Sequence, residues 1–222
     1  MNPPVTRNAN PRTLIVDDHP VVRRGLRELL AREGVEICGE AETIQKALRL
    51  ASVHKPDLVI ADISLREGSG IDLVKRLKAQ YPAARILVAS MHEEALYAER
   101  VLRAGAVGYV SKNEAVEKIL DSVRVVLQGG IYLSPAMTAR LLKSRAPGAA
   151  PATRGEIAQL TDRELEVFDA IGRGLSTRTI AEELKVSVKT IETHRENIKR
   201  KLSLSNATEL MQRAWKWVLS EA

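Results

Sequence analysis

Apolar and polar positions along the first 127 residues follow two alternating periods. Short, largely apolar runs lie at Leu14–Val16, Val35–Cys38 (interrupted by Glu36), Leu58–Ala61, Ile86–Ala89 and Gly108–Val110. Runs of that length without alternation read as strands buried on both faces. Between them the apolar residues recur every three or four positions, the spacing of one helix face. Val21–Arg32 carries Val22, Leu26, Leu29 and Leu30, and Thr43–Ser52 carries Ile44, Ala47, Leu48 and Ala51. Ile71–Gln80 carries Ile71, Val74 and Leu77, and Glu94–Arg103 and Ala115–Leu127 complete the set. Five strand–helix alternations predict an α/β unit, an open parallel sheet with helices on both faces.

Past this point the strand signal disappears. Gly129-Gly130 ends the fifth helix, and Ser134–Lys143 predicts a short helix with Ser134 as N-cap and Pro135 at its first position. Residues 145–153 (RAPGAAPAT) are small and Pro-rich, the composition of a flexible linker. Every periodic segment after the linker is helical: Thr161–Gly172, Ser176–Leu184, Ser187–Leu202 and Asn206–Leu219. The first opens with T-D-R-E, in which Thr161 caps and Glu164 reaches back. The expected organisation is an α/β unit over 11–128, a linker with a short helix over 129–158, and an all-α four-helix unit over 159–222.

Composition narrows the classes. The chain of 222 residues is 45% apolar and 28% charged, which are globular values. Aromatics at 3% leave the core to aliphatic side chains. No apolar run approaches the roughly 18–20 residues of a membrane span. Met1–Pro11 is polar and lacks the apolar region of an export signal, so a cytoplasmic location is expected. The single cysteine, Cys38, excludes an intrachain disulfide and a Cys-based zinc site, and reads as a small core hydrophobe. His19, His54, His92 and His194 do not pair at zinc-ligand spacing. The net charge of +6 suggests an anionic partner, but its distribution weakens that argument. Residues 161–222 hold 11 Lys and Arg against 10 Asp and Glu. Positive charge is local, at Lys189, Arg195, Lys199, Arg200 and Lys201 against Glu192 and Glu196.

Reactive groups of a parallel α/β sheet lie at the carboxyl ends of its strands. Those ends carry Asp17 and Asp18, Asp62, Ser90 and Lys112. Three neighbouring carboxylates require a cation or raised pKa values, and Mg2+ suits hard oxygen ligands. A metal on one of the Asp17/Asp18 pair plus Asp62 leaves an Asp62 oxygen free to attack a phosphoryl group. Lys112 would offset the added charge and Ser90 would donate to a phosphoryl oxygen. His19 reads as packing or capping, not as a ligand, and His92 lies near Ser90, where a functional role is the less favoured of two readings.

Thr177–Leu184, the turn Lys185-Val186-Ser187, and Val188–Leu202 have helix–turn–helix proportions, with Ser187 capping the second helix. On that helix Val188, Ile191, Ile198 and Leu202 should face inward. Lys189, Glu192, Thr193, Glu196, Lys199 and Arg200 lie on or near the opposite side, offering cations for phosphates and Glu or Thr for base edges. His194 sits at the apolar edge and reads as packing. Trp215 and Trp217 point to different faces of the last helix.

The motifs V-D-D-H-P at 16–20, D-I-S-L-x-x-G-S-G at 62–70, Ser90 and G-Y-V-S-K at 108–112 resemble the receiver domain of bacterial response regulators. The resemblance implies a flavodoxin-like sheet of order 2-1-3-4-5 and phosphorylation of Asp62 by a sensor histidine kinase. It implies Mg2+ on Asp18, Asp62 and the backbone carbonyl of Ser64, with Asp17 acting through water. It gives Ser90 and Lys112 catalytic roles, and makes Ser90 and Tyr109 a switch pair. Two departures stand out: Arg66-Glu67 where many receivers have Pro-Gly, and Asn113 where many have Pro.

L-T-D-R-E-L-E-V at 160–167, G-L-S-T-R-T-I-A-E-E-L at 174–184 and V-S-V-K-T-I-E-T-H-R-E-N-I-K-R-K-L at 186–202 are similar to the LuxR-type DNA-binding domain. Together the halves resemble the NarL/FixJ subfamily. The implied DNA contacts are Lys189, Thr190, Glu192, Thr193, Arg195, Glu196, Lys199 and Arg200. The implied partners are double-stranded DNA with paired half-sites, RNA polymerase and a second copy of the phosphorylated chain, joined through the last helix; no membrane is implied. The expected activity is regulation, not catalysis. A phosphohydrolase would carry a second aspartate where this chain has Ser64. Two rival functions are a helix–turn–helix that binds a partner helix and a DNA binder indifferent to phosphorylation. An acyl-homoserine-lactone receptor would lack the acidic site. The expected coupling is a two-state one, in which the unphosphorylated α/β unit masks the recognition helix.

Overall fold

The computed structural model describes residues 11–65, 68–92, 94–144, 157 and 159–221. The linker expected over 145–153 and the pair Arg66-Glu67 lie outside the described residues. The chain forms two compact units, residues 1–141 and 142–222.

The first unit runs β1 (Arg12–Val16), α1 (Pro20–Arg32), β2 (Glu36–Ala41), α2 (Ile44–His54), β3 (Leu58–Ala61), β4 (Ser64–Leu65), β5 (Gly68–Ser69), α3 (Gly70–Gln80), β6 (Arg85–Ser90), α4 (Glu94–Ala104), β7 (Gly108–Ser111), α5 (Val116–Leu127) and α6 (Pro135–Ser144). The main sheet is parallel, in the order β2-β1-β3-β6-β7. That is the expected 2-1-3-4-5 order of its five strands. Side chains alternate across it with period two. Ile15, Leu58, Ile60, Leu87, Ala89 and Val110 pack with Leu26 and Leu30 of α1 and Val123 and Val126 of α5. The opposite set, Leu14, Val16, Val59, Ile86 and Val88, is also buried, as are Ala47, Ala51, Val74, Leu77, Ala98 and Val101 of α2, α3 and α4. Both faces are covered, which is why these strands read as unbroken apolar runs.

Three local features differ from the pattern-based expectation. β2 occupies Glu36–Ala41 rather than Val35–Cys38. It is an edge strand of half-exposed residues, and pairing with β1 carries it as far as Ala41 although its apolar run stops earlier. Residues 64–69 form a small antiparallel hairpin, with Ser64 opposite Ser69 and Leu65 opposite Gly68. The chain beyond α5 also returns to the sheet. Tyr132 donates its amide to the Val107 carbonyl at 3.1 Å and accepts from the Tyr109 amide at 2.9 Å, so it lies along the β7 edge. The Ser134 amide then donates to Glu94 Oε1 at 2.9 Å, and Ser134 caps α6 through the Met137 amide at 3.1 Å.

The second unit contains α7 (Asp162–Gly172), α8 (Thr177–Glu183), α9 (Val188–Lys201) and α10 (Ala207–Glu221). Thr161 and Glu164 form the expected capping box, and Ser176 and Ser187 cap α8 and α9. Leu165, Phe168, Ile180, Ile191, Ile198, Leu210 and Ala214 close the core. Gly172 permits α7 to touch α10, since a methyl there would lie 2.6 Å from the Ala214 carbonyl oxygen. Trp217 packs on Phe168 with ring centroids 5.4 Å apart, and Trp215 is exposed. Val188, expected inward with Ile191 and Ile198, is 43% exposed. It is the first residue of α9, where the helix face has not yet reached the core.

Gly70, the first residue of α3, is fixed by space rather than by backbone angles. A methyl on it would lie 1.9 Å from the Asp62 carbonyl oxygen and 2.7 Å from Ile63 Cα. Its amide donates to the Ile63 carbonyl at 2.6 Å and closes the hairpin loop onto the strand end. Gly70→Ala should therefore lower stability by roughly 1–3 kcal/mol, the range for overpacking a tight site. Urea unfolding checks this.

Candidate functional site

Asp17, Asp62 and Lys112 each follow a strand of the parallel sheet, and the ladder runs one rung past each strand to hold them. The Asp17 amide donates to the Ala41 carbonyl at 3.0 Å, the Asp62 amide to Val16 at 2.9 Å, and the Lys112 amide to Ser90 at 2.8 Å. Their side chains converge at the rim. Lys112 Nζ donates to Asp62 Oδ2 at 2.7 Å and to Asp17 Oδ2, with all three side chains buried. Asp17, Asp18, His19 and Asp62 present ligand atoms within 4.8 Å of one another.

The carboxylates are not equivalent. Asp17 has every polar group engaged: its amide on Ala41, its carbonyl accepting from Arg23 Nη1 at 2.6 Å, Oδ1 accepting from the His19 amide at 2.8 Å, and Oδ2 on Lys112. Asp18 Oδ1 lies 2.8 Å from His19 Nδ1. Asp62 Oδ1 is buried with no hydrogen-bond partner among the described residues. Burial pushes the Asp62 carboxyl above its ordinary range, against the pull of Lys112 and with a smaller upward push from Asp17. A hard divalent cation fits this donor set: it would satisfy the orphaned Asp62 oxygen and balance three buried carboxylates that face a single buried ammonium.

Ser90 and Tyr109 are both fully buried and both meet His92. Ser90 Oγ accepts from the His92 amide at 3.2 Å, and the Tyr109 hydroxyl donates to the His92 carbonyl at 2.6 Å. The His92 ring pairs Nε2 with Ser64 Oγ at 2.8 Å and packs on Tyr97, with centroids 4.8 Å apart. Histidine position carries no sequence signal of this hub beyond proximity to Ser90. His19 likewise departs from the packing or capping expected of it: its side chain is 60% exposed, makes no cap bond and lies against Asp18.

On α9, Lys189, Glu192, Thr193, Glu196 and Arg200 are exposed, while Thr190, Arg195 and Lys199 are half-buried. The side chains of Lys189, Glu192 and Arg195 make no hydrogen bond or ion pair among the described residues, whereas Lys199 pairs with Glu196 at 2.9 Å and Arg200 bonds Asn197 at 3.0 Å. Lys201 is turned inward onto Glu164 at 2.5 Å. Burial raises the Glu164 carboxyl, but Lys201 and the Thr161 bonds outweigh it and hold the group below its usual range. His194 is half-buried, and burial with the nearby Arg163 lowers its pKa.

Residues 13–124 match the family described as the response regulator receiver domain, and residues 158–214 match the LuxR family of bacterial regulatory proteins. The chain is a response regulator of the NarL/FixJ type. This regulator is 35% identical over 208 residues to the oxygen regulatory protein NreC of Staphylococcus carnosus, covering 91% of this chain and 96% of that one. It is 32% identical over 203 residues to the transcription regulator BvgA of Bordetella pertussis, across 91% and 96% of the two chains. Among solved structures, RcsB of Salmonella enterica serovar Typhimurium, bound to a promoter in the presence of the phosphomimetic BeF3-, superposes with a TM-score of 0.60. The identity is 26%, and the match covers 92% of this chain and 98% of that one. The family is one of transcription regulators, not enzymes. No helix among the described residues of this regulator is long and apolar enough to cross a membrane.

A raised carboxyl pKa carries a defined sign in stability. Between its ordinary value of 3.8 and its higher folded value, Asp62 is ionised in the unfolded chain and protonated in the fold. Stability then falls as pH rises through that window. Asp62→Asn, which still accepts from Lys112, should raise the Tm of the metal-free regulator by a few degrees at pH 7. The gain should vanish as pH falls toward 3.8, and thermal unfolding across pH measures both.

Proposed function

We propose that Asp62 is the phosphoacceptor of this regulator, that a sensor histidine kinase supplies the phosphoryl group, and that the modified receiver controls sequence-specific DNA binding by α9. The observation that carries this reading is the buried Asp62 carboxylate, with Oδ2 held by Lys112 and Oδ1 unpartnered among the described residues. That oxygen is the nucleophile: an O–P bond forms as the P–N bond of phosphohistidine breaks, and the departing imidazole takes a proton. Asp18, Asp62 and the Ser64 backbone carbonyl are the residues to hold Mg2+. Asp17, already saturated by four partners, acts through water. Bound there, Mg2+ would neutralise charge on the transferring phosphoryl oxygens.

Lys112 offsets the charge that remains, and Ser90, which accepts from the His92 amide, donates its hydroxyl proton to a phosphoryl oxygen. Tyr109 shares His92 with Ser90, so the switch pair answers as one unit. Ser64 occupies the place where a phosphohydrolase needs a second carboxylate, and its hydroxyl is bonded to His92. The output contacts are Lys189, Thr190, Glu192, Thr193, Arg195, Glu196, Lys199 and Arg200, with the Lys189 and Arg195 side chains already free of partners among the described residues. Two copies on paired half-sites, contact with RNA polymerase and a cytoplasmic location complete the reading.

Labelling by acetyl phosphate in Mg2+ should be lost in Asp62→Asn. Undiminished labelling would place the nucleophile elsewhere. For the output, Lys189→Ala or Arg195→Ala should weaken binding to promoter duplex and reduce the slope of log K against log salt by about 1, one counterion-releasing contact each. Unchanged affinity and slope in the double variant would remove this helix face from the interface.

A further inference from the structure

Arg23 is a largely covered cation that the reading above counts only as one partner of Asp17. It enters from α1, where its amide bonds the His19 carbonyl at 3.2 Å in the first turn. Its side chain is 15% exposed. Nη1 donates to the Asp17 backbone carbonyl at 2.6 Å, and Nε lies 3.6 Å from Glu40 Oε2 on β2. Glu40 is itself held from the other side by Arg27 Nη1, 2.7 Å from Oε1. Glu40 sits opposite Ile15 in the β1–β2 register, two residues before Asp17. The guanidinium therefore joins a rigid sheet position to one particular peptide group, the one between Asp17 and Asp18.

The orientation of that peptide decides where the two carboxylates point. The Asp17 side chain leaves on its amino side and the Asp18 side chain on its carboxyl side. Rotating the peptide would swing Asp18 relative to Asp62. At the Asp17 carbonyl the strand ladder has ended, and Arg23 supplies the bond in its place. A planar guanidinium fixed at Glu40 and aimed at a carbonyl suits this task, because its fork reaches two acceptors in one geometry.

We infer that Arg23 is a positioning residue for divalent-cation capture, setting the Asp17–Asp18 peptide so that Asp18 and Asp62 converge, with Glu40 holding the guanidinium in place. The inference rests on the assignment of Asp18 and Asp62 as metal ligands. It makes a prediction opposite in sign to simple electrostatics. Removing a cation beside an acidic pocket should tighten Mg2+ by Coulomb's law. Removing a positioning bond should weaken it.

The test is calorimetric titration of the full chain with MgCl2. Wild type should bind, Arg23→Met should bind about tenfold more weakly, the scale for lost outer contacts of a metal site, and Arg23→Lys should recover part of the loss. Acetyl phosphate labelling should need more Mg2+ in Arg23→Met while its rate at saturating Mg2+ stays within about twofold, the mark of lost binding with intact chemistry. Should Arg23→Met not fold, Arg23→Gln carries the same expectation, its shorter amide being unable to span Glu40 and the Asp17 carbonyl. Unchanged or tighter Mg2+ binding in a folded neutral variant overturns the role of Arg23. Absence of Mg2+ binding in wild type instead overturns the ligand assignment beneath it.

Discussion

The receiver pocket depends on one ammonium. Lys112 Nζ bridges Asp17 and Asp62 from a side chain that is 7% exposed. Two buried carboxylates held apart from water would otherwise repel each other, and Asp18 adds a third. One ammonium cannot balance three carboxylates. Burial, with a smaller push from Asp17, raises the Asp62 carboxyl, and Asp62 Oδ1 has no hydrogen-bond partner among the described residues. The site is thus poised for an added cation, and the addition of a phosphoryl group needs that cation more. Its geometry costs little to maintain, because the amides of Asp17, Asp62 and Lys112 are themselves rungs of the sheet.

Around this centre the hydrogen bonds form a continuous structure rather than a set of separate contacts. Ser90, Ser64 and Tyr109 all terminate on His92, from the strand end, the hairpin and β7 respectively. The Tyr109 amide in turn bonds Tyr132, and the segment continues to Ser134, whose amide rests on Glu94 of α4. A side chain that moves at Ser90 therefore displaces a group shared with β7 and α4. The α/β scaffold supplies the fixed part of this arrangement, since Ile86, Leu87, Val88 and Ala89 below Ser90 are buried.

What the sequence made legible follows from what leaves a periodic trace. The five main strands, the strand-end residues and the caps at Thr161 and Ser187 are readable, because burial and capping constrain residue type at fixed spacing, whereas the strand order comes with the family resemblance. The far end of β2 is not, because an edge strand is held by main-chain bonds that impose no apolar pattern. The 64–69 hairpin is too short to show a period, and Gly70 shows its reason only as a distance to Asp62. His92, Arg23 and Glu40 act through bonds between residues far apart in the chain, such as Arg23 on α1 with Glu40 on β2. Such pairs carry no local signature.

The charge of the second unit illustrates why position outranks total. Five basic residues on the α9 segment suggest one cationic face. Lys201 instead points inward and neutralises Glu164, which is also the capping carboxylate of α7. That bond fixes the end of α9 against the start of α7, so a residue counted toward nucleic-acid attraction serves to hold the helix that presents the others. Lys199 and Arg200 are tethered at i−3 to Glu196 and Asn197. Of the cations left without such ties among the described residues, Lys189 lies in the first turn of α9 and Arg195 at its middle. A recognition helix presents its N-terminal residues to base edges, and the unit's near-neutral sum is therefore compatible with tight phosphate contact.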